Sequence, residues 1–113
     1  MRLVRASEKE PQPVTEPGAE KVTVRWLLAR PEGAPHFAMR LFELAPGGST
    51  PLHQHPWEHE VFIVEGEAEV VSSAASTAAN AGDALLVLPN ETHQFRNPGQ
   101  KAARFLCMIP LPE

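Results

Sequence analysis

Short runs of alternating apolar and polar residues recur along most of the chain. In the first of them, residues 21–28, every second side chain is apolar, and this period of two predicts a strand with one buried face. Segments of the same kind are predicted at residues 37–44, 61–64, 68–72, 84–88, 93–96 and 102–109. Gly, Pro and Asn turns separate the runs, and no long helical stripe interrupts them. The pattern predicts an all-β sandwich or barrel.

Two stretches depart from this pattern. Residues 1–20 are polar and contain Pro11, Pro13 and Pro17, which favours an extended arm that either crosses to a partner subunit or frays. Residues 73–81 are rich in Ala, Ser and Thr, so we expect a variable loop or a weak strand there. The sequence therefore predicts an N-terminal arm, residues 1–20, and one barrel domain, residues 21–113.

Composition narrows the classes of partner and site. A chain of 113 residues, 42% of them hydrophobic, is the size of one typical domain. The net charge of −4 comes without a basic run, which argues against nucleic acid and against an anionic membrane as partners. No apolar stretch of signal-peptide or membrane-spanning length occurs, so a cytoplasmic location is expected. Cys107 is the only cysteine, which excludes an intramolecular disulfide and a Cys-rich zinc module.

Four of the five histidines have a spacing that suits a metal site. They are His53, His55, His59 and His93. Side chains two apart on a strand share a face, so the first two lie together, and the third joins them if residues 56–58 preserve the parity. Glu60 then points the other way, and the fourth histidine must arrive through folding. Imidazole is a common ligand of divalent transition metals, whereas the fifth histidine, His36, is expected to be a surface residue.

At these residues the chain resembles the cupin family. Its first motif is matched by Gly47, His53-Gln54-His55, His59 and Gly66. Counted from Gly66, His59 holds the register of the family's glutamate ligand, while Glu60 fits the longer allowed spacing. The second motif appears in altered form as Gly82, Pro89, His93 and Asn97. The resemblance covers residues 37–109 and implies a double-stranded β-helix, the jelly-roll barrel, with a four-histidine metal centre.

A four-histidine centre has distinct chemistry. Four neutral imidazoles leave the full double charge of a divalent ion in place and strengthen its Lewis acidity. By resemblance, manganese or iron is expected first, with zinc, nickel or copper as alternatives. Open coordination positions would admit dioxygen or a bidentate substrate, whereas tetrahedral zinc would be closed by four protein ligands. Since ligand imidazoles must be unprotonated, we expect metal release below about pH 6.

The side chains around the metal follow from the same parity. In similar cupins the odd-numbered residues of the last strand, Phe105, Cys107 and Ile109, would face the cavity. Further candidates for the pocket are Phe95, which has the parity of His93, Trp57 at the pocket mouth or barrel rim, and Arg40, which is either a carboxylate-binding residue or a solvated strand arginine. Two carboxylates, Glu58 and Glu60, either orient histidine N–H groups or carry surface charge.

Two classes of function remain open at this point. The first is a small metal-dependent oxidoreductase, dioxygenase-like, acting on a small organic substrate in the cavity. The second is a non-catalytic binding or sensing cupin, or a cupin isomerase, with a closed zinc-type site. The chain has no tyrosine to serve as a further acid or base, which favours the first. Apolar outward positions such as Leu106 and Met108 also predict a homodimer.

Overall fold

The alternating segments form strands, as the pattern predicts. The computed structural model describes residues 1–111, and two single-turn 3₁₀ helices, Ala6–Glu8 and Arg30–Glu32, are the helical elements of this part. Among these residues, no helix is long and apolar enough to cross a membrane. The strands are β1 (Gln12–Pro13), β2 (Glu20–Leu28), β3 (Phe37–Ser49), β4 (His59–Glu65), β5 (Glu67–Ser72), β6 (Ser76–Asn80), β7 (Ala84–Val87), β8 (His93–Arg96) and β9 (Ala103–Pro110).

The strands pair in an order that interleaves distant parts of the chain. Along the sheet the order is β6-β5-β8-β3-β9-β4-β7, and β2 pairs with both β1 and β3. The pairs are antiparallel. The sheet curves into a nearly closed barrel, which confirms the predicted all-β barrel. Since β3, β4, β8 and β9 are neighbours, side chains from separate segments converge on one interior.

The core lies inside this barrel and depends on strand alternation. Along β9 every second residue is buried, including Phe105, which is 1% exposed. Its ring stacks on Phe95, with centroids 4.7 Å apart, and on Phe42, at 5.3 Å. Such aromatic pairs add about 0.5–1.5 kcal/mol to the stabilisation from burial. The odd-numbered residues of β9 thus face inward, as the resemblance to cupins implies.

Two elements differ from the simplest sequence pattern. The sequence predicts that the second strand ends at Leu44, before the Pro-Gly-Gly turn, but β3 continues through these glycines to Ser49. The strand continues because the backbone of Gly48 packs tightly on β2: a Cβ atom there would lie 2.7 Å from the Lys21 carbonyl oxygen. Within residues 73–81 the strand alternative holds, since β6 pairs with β5 and buries Ala79.

The N-terminal arm lies on the barrel of its own chain. Its β1 pairs with β2, and Arg25 Nε donates a hydrogen bond to the carbonyl oxygen of Lys9 at 3.0 Å. The Lys9 ammonium in turn pairs with the Glu32 carboxylate at 3.0 Å. Val14 follows β1 and packs against the core. The arm therefore forms part of the barrel wall next to the histidines.

Candidate metal centre

The backbone brings the two histidine motifs together at one end of the barrel. His53 and His93 form an isolated antiparallel bridge, in which each backbone N–H donates to the other's carbonyl, at 3.1 and 3.0 Å. His93 begins β8, His59 begins β4, and His55 lies in the connection between β3 and β4. We refer to these four residues as the histidine cluster.

Within the cluster, three histidines are grouped by their nitrogen atoms. One ring nitrogen from each of His53, His55 and His93 lies within 4.8 Å of the others, a spacing that could hold an ion. His59 adjoins this group: its ring stacks on His55, with centroids 4.2 Å apart, and lies 5.2 Å from the ring of His93. The structure therefore groups three ligands and places the fourth imidazole beside them, and a four-ligand centre stays a prediction.

The tautomers of the cluster are suited to metal binding. Nδ1 of His55 lies 2.9 Å from the Trp57 carbonyl oxygen, and Nδ1 of His93 lies 2.7 Å from the Glu91 carbonyl oxygen. A carbonyl only accepts hydrogen bonds, so each Nδ1 carries the hydrogen and each Nε2 carries the lone pair. Within residues 1–111, the Nε2 atoms of His55, His59 and His93 are buried without a hydrogen-bond partner. Buried polar atoms are normally satisfied, and a lone pair on a buried imidazole nitrogen is a donor that a divalent cation accepts.

Burial favours the neutral form of His53, His55 and His59, which is the form that binds metal. Desolvation is the main cause that lowers the pKa of His53 and of His55, and repulsion from neighbouring imidazoles adds to it. Burial, followed by the effect of His55 and of Arg40, lowers the pKa of His59 to about 3. Since protonation competes with metal for the same lone pair, these shifts favour metal binding near neutral pH.

Arg40 extends a guanidinium group to the same place. It lies on β3 opposite Cys107 of β9, and its Nη2 donates to Cys107 Sγ at 3.0 Å. The group is stacked against Trp26, 5.2 Å from the ring centroid, and Phe42, at 4.9 Å. Among the described residues its Nε atom is buried without a partner. The interior arginine thus brings a fixed positive charge to the histidine cluster.

Cys107 connects this arginine to the histidines. Its Sγ lies 3.1 Å from His59 Nδ1, and if His59 Nε2 binds a metal, Nδ1 carries the hydrogen and donates it to the sulfur. Burial raises the pKa of the thiol, while Arg40 acts in the opposite direction. The sulfur thus accepts a hydrogen bond from Arg40, and with metal on His59 it would accept a second one from this histidine.

Two cavities that share wall residues adjoin the cluster, and all six pocket candidates line one or both of them. The inner cavity, of about 70 Å³, contains Arg40, Phe95, Phe105 and Cys107 in its wall. The outer cavity, of about 270 Å³, is lined by Arg40, Trp57 and Ile109. Trp57 stacks on His55, with ring centroids 4.5 Å apart, and is 44% exposed, so it forms part of the mouth.

The two glutamates proposed to orient the histidines lie elsewhere. Glu60 is exposed on β4 while its neighbour His59 is buried, as strand parity requires. Glu58 and Glu60 line a separate depression that also contains His36. The Nδ1 atoms of three cluster histidines are held instead by Trp57 O, Glu91 O and Cys107 Sγ.

Residues of the arm also line the site, which sequence patterns did not reveal. Val14 and Glu16 line the inner cavity, and Glu16 also lines the outer one. A Glu16 carboxylate oxygen lies 3.9 Å from His53 Nδ1. The glutamate lies among prolines in a polar stretch, and no local signal marks it. Only the docking of the arm brings it to the histidines.

Comparisons with known proteins agree with this architecture. The cupin domain profile matches residues 40–109. The solved structure of the polyketide cyclase RemF from Streptomyces resistomycificus superposes with a TM-score of 0.93 at 34% identity, over 99% of this chain and 80% of that one. The oxalate-binding protein of Thermotoga maritima is 31% identical over 96% of this chain and 93% of its own length.

A third relative matches over a shorter region. The 1-methylthio-D-xylulose 5-phosphate methylsulfurylase of Rhodospirillum rubrum is 35% identical over 71 residues, which is 63% of this chain. The match spans 46%, about half, of that enzyme's length. The three relatives are named for three different functions.

Proposed function

The chain belongs to the cupin family, and on that premise we propose that it is a metal-dependent enzyme. Its substrate would be small and anionic and would chelate the metal through its oxygen atoms. The substrate would bind between the histidine cluster and Arg40. One observation carries the proposal: three buried Nε2 atoms without a partner and the half-buried guanidinium of Arg40 lie beside the same adjoining cavities. Metal-ligating lone pairs and a cation together suit a ligand with two negatively polarised oxygens.

The histidine cluster would hold a divalent ion, with His53, His55 and His93 as the grouped ligands and His59 as the fourth. Manganese or iron is proposed first, and zinc, nickel or copper would also accept imidazole ligands. A bound ion would supply Lewis acidity that polarises a substrate oxygen. The acceptors on Nδ1 fix the ring orientations, so little reorganisation is needed when the metal binds.

Arg40 would bind the anionic end of the substrate. Its guanidinium plane is held between aromatic rings and the Cys107 sulfur, so its direction is fixed before the substrate arrives. A carboxylate or enolate oxygen beside it would gain a charge-assisted hydrogen bond in a site partly shielded from water. The apolar part of the substrate would contact Phe95 and Phe105 in the inner cavity.

This arrangement favours chemistry in which negative charge develops on oxygen, such as cyclisation or isomerisation through an enolate. The names of two relatives support an oxygen-rich ligand, since one is a polyketide cyclase and the other an oxalate-binding protein. Such chemistry needs no redox change at the metal, so zinc would also serve.

A dioxygenase-like oxidoreductase is the second candidate. The inner cavity, with three phenylalanines in its wall, could admit dioxygen beside an unsaturated substrate. Oxygen consumption by the manganese- or iron-loaded protein, measured with an electrode against a panel of β-dicarbonyl compounds, would distinguish this reaction from non-oxidative turnover. Metal and ligand binding without turnover of either kind would favour the binding or sensing alternative.

The first experiment is metal analysis of the purified protein by mass spectrometry. We expect about one ion per chain, strongly reduced in His55→Ala and His93→Ala. His36→Ala is the matched control, because His36 lines the separate depression, and it should retain the metal. Full metal occupancy in the two cluster variants would contradict the proposed centre.

A second experiment tests Arg40. Oxalate, measured by calorimetry with the metal-loaded protein, should bind about tenfold or more weakly to Arg40→Met, because a charge-assisted hydrogen bond contributes about 1.5–3 kcal/mol. Arg2→Met, which removes an exposed arginine, should bind as the wild type does. Equal oxalate affinity in all three proteins would exclude Arg40 as the anion-binding residue.

The homodimer also remains a proposal. Phe62, Val64 and Leu86 are between 41% and 55% exposed on adjacent strands, and Leu106 pairs with Phe62 in the same sheet. Exposed apolar positions of this kind suit a twofold contact with a second copy. Sedimentation at micromolar concentration should give a dimer, and a monomer would refute it.

A further inference from the structure

We propose that the N-terminal arm completes the metal centre by placing Glu16 as the hydrogen-bond acceptor of His53. This inference rests on the proposed metal binding and concerns a residue outside both histidine motifs. It makes Glu16 a positioning residue for one ligand and makes metal binding depend on the docking of the arm.

His53 differs from the other three histidines of the cluster in the partner of its Nδ1 atom. Nδ1 of His55 and Nδ1 of His93 each contact a backbone carbonyl, and Nδ1 of His59 contacts the Cys107 sulfur, all within 3.1 Å. For His53, the recorded polar contact of Nδ1 is Glu16 Oε2, at 3.9 Å. The proposal requires this contact to shorten to hydrogen-bond length when the metal binds. Histidine ligands almost always donate their second ring N–H to such an acceptor.

The position of Glu16 is fixed on both sides along the chain. Before it, the Val14 N–H donates to the Val22 carbonyl at 3.1 Å and the Val14 side chain packs on the core. After it, the Ala19 N–H donates to the Glu16 carbonyl at 3.0 Å, and the Ser49 hydroxyl donates to the Gly18 carbonyl at 3.4 Å. The backbone of Glu16 is thus held beside the cavities, with its side chain in their walls.

Charge supports the same assignment. A divalent ion held by neutral imidazoles, next to the Arg40 guanidinium, would concentrate three positive charges in a partly buried site. Glu16 is the acidic residue that lines both adjoining cavities. Its carboxylate would offset one of these charges without occupying a coordination position. Since the side chain is 66% exposed, the effect should weaken as salt increases.

Metal binding and docking of the arm must be thermodynamically coupled. If the docked arm strengthens metal binding, metal binding must stabilise the docked arm by the same factor. The Val14 amide, which is bonded to Val22, reports on docking through its hydrogen-exchange rate. We therefore expect metal to slow exchange at Val14 by about the factor by which the arm tightens metal binding.

The test measures Mn²⁺ affinity by calorimetry, with Zn²⁺ as a second ion, in the full-length protein. Glu16→Gln replaces the carboxylate by a neutral amide, whose oxygen is the weaker acceptor, and should bind about tenfold more weakly, the lower end of the usual loss on changing such a partner. Glu16→Asp keeps a carboxylate and should recover part of the affinity. Glu10→Gln is the matched control, because it removes the same charge from the arm at a residue that lines neither cavity of the centre. It should bind as the wild type does.

The outcomes separate this inference from the proposed function. If the wild type binds Mn²⁺ and Zn²⁺ but Glu16→Gln matches Glu10→Gln, the role of Glu16 is wrong and the metal centre stands. Equal weakening in both variants would mean a long-range charge effect and would also overturn the inference. If the wild type binds neither ion, the proposed function itself fails. Slower exchange at Val14 on metal addition, reduced in Glu16→Gln, would support the coupling independently of affinity.

Discussion

Asn97 allows a stability prediction with a magnitude worked from its contacts. The residue matches the end of the second cupin motif, yet its side chain is 3% exposed and lies away from the cavities. Its Nδ2 donates to the carbonyl oxygens of Leu44, at 2.9 Å, and Lys101, at 2.8 Å. Its Oδ1 accepts from the Gly99 N–H at 2.9 Å. One amide therefore joins β3 to the turn between β8 and β9.

Replacing Asn97 by alanine removes all three bonds, with unequal costs. The Leu44 carbonyl belongs to a fully buried residue and would lose its partner, at a cost of about 1–3 kcal/mol. Gly99 and Lys101 are exposed, so water can replace the lost partner, and each net loss is about 0.5–1 kcal/mol. The sum is about 3 kcal/mol, which is a large part of the 5–15 kcal/mol typical of a domain.

Urea denaturation of the metal-free protein, followed by tryptophan fluorescence, measures this change. The midpoint should fall while the slope stays the same, because the wild type and the variant expose similar surface on unfolding. Asn97→Asp keeps the acceptor but turns a carboxylate oxygen toward two carbonyls, so it should destabilise at least as much. Asn80→Ala, at an exposed position of β6, is the control and should lie within about 0.5 kcal/mol of the wild type. A loss under 1 kcal/mol in Asn97→Ala would refute the assignment.

Three further changes test the interior and the turns. In the folded protein the pKa of His59 is about 3, whereas in the unfolded chain this histidine becomes protonated below its ordinary pKa of 6.5. The stability of the metal-free protein should therefore fall as the pH drops from 6.5 toward 3. In urea titrations His59→Gln should reduce this pH dependence. Cys107 is 2% exposed and burial raises its pKa, so thiol labelling should be slow in buffer and fast in urea; equally fast labelling in both would contradict a buried thiol. Gly66→Ala should destabilise by about 2 kcal/mol in thermal denaturation, because at φ +80° its Cβ would lie 2.7 Å from the Ala102 carbonyl oxygen. Gly82→Ala, with a similar φ but open space around it, should cost less, and an equal loss would show that the contact is unimportant.

Strand parity predicted the parts of this protein that depend on local alternation. It placed His59 and Glu60 on opposite faces, and it put Phe105 and Cys107 on one face of the last strand, which the resemblance to cupins assigned to the interior. These positions follow from the two-residue period of a strand, which neighbouring residues determine by themselves. The resemblance to cupins added the barrel and the group of histidines.

The features that the sequence left open depend on distant contacts. Glu16 reaches the histidines because Val14 and β1 dock on β2, and a polar, proline-rich stretch carries no periodic signal for that docking. The Gly47-Gly48 pair predicted a turn, but the approach of the Lys21 carbonyl makes it a strand segment. In each case tertiary packing overrides the local propensity.

The reciprocal backbone bridge between His53 and His93 has a consequence for folding. In an unfolded chain, His53 and His55 could chelate an ion locally, because one residue separates them. His93 is remote in sequence and reaches them only when β8 has paired with β5 and β3. Closing a loop of this length is entropically costly and must precede the gain from the contact. His93 therefore joins the other two ligands only when the barrel closes. During refolding, the change from weak to tight metal binding would report the time at which residues 53 and 93 come into contact.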